Sequence, residues 1–115
     1  MVLDDLEASA ELNFANVGGY EAGAWTGDWA VRAYAICGPP APTMVRVAAS
    51  RPAAGARCPT GTALTGVGGE IGGGRGDVTF DSVAPDVTRG LAFAGGHRTA
   101  GTRSWTLTVY AVCAG

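Results

Sequence analysis

Lysine is absent from the chain, and aromatic residues make up only 8% of it. All 8 basic residues are arginines, and the formal net charge is −2. A chain with this balance has no basic field to attract nucleic acid or anionic lipid, so we expect neither partner. The preference for Arg, Ala and Gly is typical of a genome of high G+C content.

Long apolar runs are also missing. No stretch approaches the ~18 residues that a membrane-spanning helix needs, so we expect no membrane span. Residues 1–10 carry acidic side chains where a secretory signal would have a basic start and an apolar run. Either the mature protein begins here, or the chain is a piece of something longer.

Groups suited to catalysis are scarce. The lone histidine, His97, falls in a predicted loop, Gly95–Arg98, and no Ser/His/Asp arrangement or G-x-S-x-G motif can be assembled. The three cysteines form no CxxC pair, so no zinc site is indicated. The stretch Gly66–Gly76 lacks the lysine of a phosphate-binding loop. We predict that the protein is not an enzyme and has no catalytic residue, metal or cofactor.

Glycine, by contrast, is abundant, with 19 residues, well above the typical ~7%. Glycine at this level without a collagen period favours tight turns and short strands over long helices. The chain is 47% apolar, but many of these residues are alanines. We predict an all-β fold, an antiparallel β-sandwich or prism-like stack built from an internal repeat.

The repeat is visible as three blocks that recur in order. The matching blocks are Leu3–Leu6 with Phe80–Val83, Leu12–Ala15 with Leu91–Ala94, and Asp28–Cys37 with Ser104–Cys113. The last pair shares Trp, Tyr and Cys at one offset of 76 residues. The predicted organisation is a partial repeat over 1–38 that lacks its front third, a Pro/Ala-rich linker with one strand over 39–57, and a complete repeat over 58–115. Together these form one compact domain.

Period-two alternation predicts half-buried strands in both copies of the terminal block. The face running from Trp105 to Cys113 is the expected core face, and the face of Tyr110 is expected to be more exposed. Residues 3–16 are predicted to be strands because they match residues 80–94. The run Gly72–Gly76 is predicted to be a hairpin loop. Further strands are predicted at Met44–Ala49, Ala63–Ile71, Val78–Val83 and Leu91–Phe93.

A resemblance rests on Cys58-Pro-x-Gly-Thr, then Gly66-x-Gly-Gly, then Trp105-Thr-Leu-Thr-Val-Tyr-Ala-Val-Cys-Ala114. This pattern resembles a largely uncharacterised β repeat of secreted actinobacterial proteins and of some phage-tail or collagen-like proteins. It covers residues 58–114 fully and 2–37 in part. In such repeats the two cysteine-containing ends bracket one all-β unit. The resemblance implies surface exposure and a β fold, but no chemistry.

If Cys58 and Cys113 bracket one unit, we expect them to form a disulfide, which favours an oxidising compartment. The alternative is three buried thiols in a cytosolic protein. Cys37 is left over as an unpaired or intermolecular thiol. Its missing partner indicates either a fragment of a tandem array or strands donated by a neighbouring subunit. In a third alternative, residues 1–37 complete the sheet of the second copy and Cys37 is an inert buried thiol.

Carboxylates at Asp77, Asp81 and Asp86 could hold Ca²⁺, but their spacing fits no EF-hand and we expect solvated positions. The tripeptide Arg75-Gly76-Asp77 is expected to be a plain turn.

The candidate binding or interface residues are Trp25, Tyr34 and Tyr110, because aromatic faces stack on sugar rings and anchor protein interfaces. Ordinary sheet packing is the competing interpretation. The expected function is an extracellular or cell-surface structural module that self-assembles as a homo-oligomer or filament, with strand exchange between neighbours. The alternative is a small lectin-like module that binds a glycan.

Overall fold

A computed structural model of the protein describes residues 1–24, 26–35, 37–38, 43–49 and 53–115. Over these residues the chain forms eight strands and no helix, so the predicted all-β class is confirmed. None of the elements in this part of the chain could span a membrane as a helix. The strands are β1 (Val2–Ala8), β2 (Ala15–Tyr20), β3 (Thr43–Ala49), β4 (Ala53–Arg57), β5 (Ala63–Gly72), β6 (Val78–Asp86), β7 (Leu91–Arg98) and β8 (Thr106–Ala114).

The strands form two antiparallel sheets that pack against each other as a sandwich. The larger sheet has five strands in the order β2-β1-β5-β8-β3, and the smaller has three in the order β4-β7-β6. β1 joins the larger sheet through the pairs Asp5–Glu70 and Leu6–Gly69. Strands from before and after the predicted linker therefore belong to one sheet. The division of the chain into a partial repeat, a linker and a complete repeat, with boundaries at residues 38 and 57, stays a prediction.

The core lies between the sheets, and β8, which pairs with β5 on one side and β3 on the other, contributes the most fully buried side chains to it. Four alternate side chains of β8 are 0% exposed, and Trp105 packs against them at the start of the strand. The predicted core face is therefore confirmed. Its fully buried members are Leu107, Val109, Ala111 and Cys113.

The opposite face of β8 is more exposed than the core face, as predicted, with one exception. Tyr110 is 0% exposed, so the expectation fails at that residue. Its cross-strand neighbour Gly68 has no side chain, and β1 passes so close that a Cβ there would collide with the carbonyl oxygen of Leu6. Coverage by a third strand depends on tertiary packing, which the period of β8 does not encode.

Two further expectations need correction. The predicted linker contains β4 in addition to the expected strand, and alanine-rich Ala53–Arg57 has too few β-branched residues to signal it. Gly72–Gly76 is not a hairpin loop, because β5 belongs to the larger sheet and β6 to the smaller. The run crosses between the sheets, helped by positive φ angles of 77° at Gly73 and 89° at Gly76.

The strand predicted over Asp28–Cys37 is not formed. The described part of this segment has no strand, Trp29 is 39% exposed and Tyr34 is 76% exposed. β8 pairs with β5 and β3 along its length, whereas no strand of the chain pairs with the described part of this segment. A strand needs partners for its N–H and C=O groups, so the pattern alone is not sufficient.

The hairpins β1–β2 and β6–β7 share one register, and each contains a β-bulge at the same point. In β1 the extra residue is Asp4, and in β6 it is Asp81. The pairs on the two sides of the bulge are Leu3–Gly19 and Asp5–Gly18 in the first hairpin, and Phe80–Gly96 and Ser82–Gly95 in the second. Every pair is displaced by 77 residues.

Candidate functional site: an acidic cleft beside an open sheet edge

A cleft of about 530 Å³ opens on the larger sheet where β1, β2 and β5 meet. We name it the acidic cleft because three carboxylates line it, from Asp4, Asp5 and Glu70. Tyr20 and Arg75 also contribute to its wall.

The bulge in β1 explains why two consecutive residues line the same cleft. Side chains of a regular strand point alternately to opposite faces. Asp4 is the extra residue between the pairs Leu3–Gly19 and Asp5–Gly18, and it interrupts that alternation. The glycines of β2 leave room, since a Cβ on Gly18 would lie 3.2 Å from the Cβ of Asp5.

Burial controls the protonation of these carboxyls. Asp5 Oδ1 is buried and has no hydrogen-bond partner. Burial, followed by repulsion from Glu7, Glu70 and Asp4, raises the pKa of Asp5 to about 6. Burial also raises the pKa of Asp4, which is 9% exposed; a hydrogen bond from its own backbone opposes this and Glu70 adds to it.

Glu70 connects the acidic cleft to the core. Its Oε2 accepts a hydrogen bond of 2.7 Å from the hydroxyl of Tyr110. Together, the carboxylates of the acidic cleft can accept hydrogen bonds from hydroxyl, ammonium or guanidinium groups of a ligand. Within the described residues no group of three or more His, Cys, Asp or Glu side chains is arranged to hold a metal ion.

The edge strand β2 borders the acidic cleft. It pairs with β1 on one side, and none of the described strands pairs with its other side. Ser9 N–H donates to the carbonyl of Phe14, which fixes the alternation of hydrogen-bonded pairs in this hairpin. By that alternation, the N–H and C=O groups of Ala15 and Val17 point away from β1.

Large apolar side chains are exposed on and beside the same hairpin. Four of them are between 40% and 53% exposed. They are Met1, Leu6, Phe14 and Tyr20. Exposed apolar surface next to an unpaired edge is typical of an interaction site.

His97 lies in β7, not in a loop as predicted. Its Nδ1 forms a hydrogen bond with Oδ1 of Asp81, the bulge residue of β6. The side chains are 56% and 50% exposed, so this is a surface contact. In the shared register of the two hairpins, the residue of β2 that corresponds to His97 is Tyr20.

The predicted disulfide is present, with Sγ atoms of Cys58 and Cys113 at 2.02 Å. It joins the segment before β5 to the end of β8, and it fits an oxidising compartment. Cys37 is exposed and free, so the alternative of an inert buried thiol is wrong.

The three predicted aromatic residues are not brought together. Tyr34 is exposed, and its hydroxyl oxygen accepts a hydrogen bond of 3.3 Å from Arg32. Tyr110 is buried within the chain and is therefore not available to a partner, contrary to expectation. Trp25 lies outside the described residues.

Sequence reasoning missed the acidic cleft. The pattern of the sequence assigned no role to Asp5 or Glu70. The signal that could have found it is the pair Asp4-Asp5, because two adjacent acidic residues break the alternation of a half-buried strand and so indicate a bulge.

Comparisons with models of protein families, with curated proteins and with solved structures found no match to this chain. The resemblance to the secreted β repeat therefore stays a prediction.

Proposed function

We propose that the protein is an extracellular structural module, without enzymatic activity, that self-assembles by pairing strands of neighbouring copies. The observation that carries this proposal is the open edge of β2, with its outward backbone groups and exposed apolar neighbours. An unpaired edge of this kind is a template for strand addition.

The disulfide supports the extracellular part of the proposal. Disulfides persist in oxidising compartments, and a small glycine-rich domain with few large core side chains gains most from one. The five largest fully buried side chains include only one aromatic residue, Tyr110.

Contacts between different edges would make the assembly open-ended. The free edges of the described part differ in sequence, with β2 at one end of the larger sheet and β4 at an end of the smaller one. Contacts between unlike edges are head-to-tail, and head-to-tail contacts that do not close into a ring produce filaments.

Size-exclusion chromatography coupled to light scattering tests the proposal on the purified, oxidised protein over a range of concentrations. We expect the mass to rise with concentration. A charged lysine on an edge strand blocks strand addition, so Val17→Lys should keep the protein monomeric. The control Thr102→Lys adds the same charge to an exposed loop and should assemble like the parent. A parent protein that is monomeric at every concentration contradicts the proposal.

Carbohydrate binding in the acidic cleft is the second candidate, favoured by the three carboxylates beside the half-exposed ring of Tyr20. Sugar hydroxyls donate to carboxylates, and sugar rings stack on aromatic faces. Calorimetry with a panel of soluble glycans tests it. Tyr20→Ala should abolish any binding, whereas Tyr34→Ala, outside the acidic cleft, should not. Absence of binding across the panel removes this candidate.

A further inference from the structure

We infer that residues 1–37 are one half of a second β-sandwich and that they bind a further polypeptide segment of the kind formed by residues 43–72. This goes beyond self-association, because the partner is identified by the strands it supplies. The inference rests on a comparison between residues 1–37 and the complete sandwich of residues 43–114.

The complete sandwich divides into two sets of three consecutive strands. β3, β4 and β5 come first in the chain, and β6, β7 and β8 follow. The two sets interleave, since β8 lies between β3 and β5 in the larger sheet, while β7 lies between β4 and β6 in the smaller. Each set therefore completes the hydrogen bonding of the other.

Residues 1–37 contain counterparts of the second set only. The hairpin β1–β2 repeats the register and the bulge of β6–β7 at an offset of 77 residues. The segment Asp28–Cys37 repeats the Trp, Tyr and Cys spacing of Ser104–Cys113. Within residues 1–37 the sequence contains no counterpart of β3, β4 or β5.

Exposure agrees with a missing covering layer. Phe80 and Val83 of β6 pack against the core, whereas Leu6, the counterpart of Val83, is 40% exposed. Leu107 is 0% exposed, whereas its counterpart Val31 is only half-buried, and the other described residues of its segment are exposed. Leu6 and Val31 are apolar but lack the layer that buries their counterparts in residues 43–114.

A folded second copy does not supply that layer. Its β3, β4 and β5 are already paired with β7 and β8, and its Cys58 is bonded to Cys113. The partner is an unengaged polypeptide segment of this type, with a cysteine at the position of Cys58.

That cysteine would bond to Cys37, as Cys58 bonds to Cys113. The link forms by thiol–disulfide exchange when the partner cysteine carries a small thiol as a mixed disulfide. The Cys37 thiolate attacks the sulfur of the partner cysteine, the new S–S bond forms, and the old S–S bond breaks to release the small thiol. No other oxidant is required.

The test uses the full-length oxidised protein and a synthetic peptide of residues 43–72, with Cys58 of the peptide carried as a mixed disulfide with an aromatic thiol. Release of that thiol is followed by absorbance, and the adduct is mapped to Cys37 by mass spectrometry. Because binding brings the two sulfurs together, the peptide should react at least about 10-fold faster than a scrambled peptide with the same cysteine. Equal rates for the two peptides would overturn the inference.

Matched variants separate docking from simple thiol reactivity. Ala33 corresponds to buried Val109, and Ala30 corresponds to exposed Thr106. Ala33→Asp should reduce the rate to that of the scrambled peptide, while Ala30→Asp should retain the rate enhancement. Both side chains are exposed in this structure, so neither change disturbs the folded sandwich. Each rate is divided by the rate at which the same variant reacts with a small disulfide that lacks the peptide. If both variants then lose the rate enhancement equally, the inference is overturned.

This outcome is independent of the assembly measurement. A chain that self-assembles but shows no selective adduct would remove the inference and leave the proposed function. A chain that remains monomeric but forms the selective adduct would remove the proposed function and leave the inference.

Discussion

Residues 28–37 and 104–113 carry the same alternating pattern, yet only the second forms a strand. β8 is flanked by β5 and β3 and buries its alternate side chains completely. The described part of residues 28–37 has no partner strand and is exposed. The difference shows that a period-two pattern specifies a surface suited to a sheet, while the strand itself requires neighbours on at least one side.

The two hairpins make the complementary point. β1–β2 and β6–β7 have the same register and the same bulge, although only the second is fully integrated in the sandwich. Hairpin geometry is set by local turns and pairing, so it persists in both. Burial depends on the opposite sheet, so it differs.

Removing the disulfide should have the largest effect and should act on one region only. Cys58 and Cys113 are separated by 55 residues, and closing such a loop contributes about 4 kcal/mol in the chain-entropy model. The double change Cys58→Ala and Cys113→Ala should therefore lower the free energy of unfolding by about that amount, measured by urea denaturation. Cys37→Ala should change it by less than about 0.5 kcal/mol, because Cys37 is exposed. Equal effects would contradict the contrast between the two regions.

Shortening matched apolar side chains tests the same contrast in the core. Leu107 is fully buried, so Leu107→Ala should cost about 3 kcal/mol through lost burial and a cavity. Val31→Ala, at the corresponding position of the first segment, should cost less than about 0.5 kcal/mol. Thermal and urea unfolding measure both. A large cost for Val31→Ala would show that residues 28–37 are packed in solution.

The matched tyrosines should differ by a smaller amount. The buried hydroxyl of Tyr110 donates to Glu70, so Tyr110→Phe should lower the free energy of unfolding by about 1–2 kcal/mol. Tyr34→Phe removes a hydroxyl that lies on an exposed side chain and should have almost no effect. If both changes are neutral, the contact between Tyr110 and Glu70 does not contribute to stability.

The smallest predicted effect concerns pH and the acidic cleft. Burial raises the pKa of Asp5 from 3.8 to about 6, so the folded state binds a proton more tightly than the unfolded state. The free energy of unfolding should therefore fall as the pH rises from about 4 through 6. Asp5→Asn should flatten this dependence and, at pH 7, stabilise the protein by about 1 kcal/mol, since solvent screens part of the effect. Asp28→Asn, on an exposed residue, serves as the control. A stability that rises with pH through this window would contradict the assignment.

Much of the sandwich was predictable because its signals are local. Sequence patterns located β5, β6, β7 and β8, although all four predicted ends fall before the observed ones. The predicted repeat, with its bracketing cysteines, indicated the disulfide. The structure adds β4, which alanine-rich Ala53–Arg57 does not reveal by strand propensity.

The acidic cleft was not predictable because it depends on contacts between distant segments. Glu70 meets Asp5 only because β1 pairs with β5. Tyr110 is buried because β1 passes over Gly68, and the period of β8 carries no information about that crossing. The predicted strand at residues 28–37 was wrong for the same reason, since pairing is decided outside the segment.

The position of the disulfide also determines how the protein responds to tension. If a force pulls on residues 1 and 115, the covalent bridge carries the load past residues 59–112. Those residues cannot lengthen the chain even after their strands separate. The residues that can extend are limited to 1–57 and 114–115, with a contour length of about 195 Å at roughly 3.3 Å per residue. Under load, such a module would lengthen only by this limited amount. Further extension would require the disulfide to break, because the core lies inside a closed covalent loop.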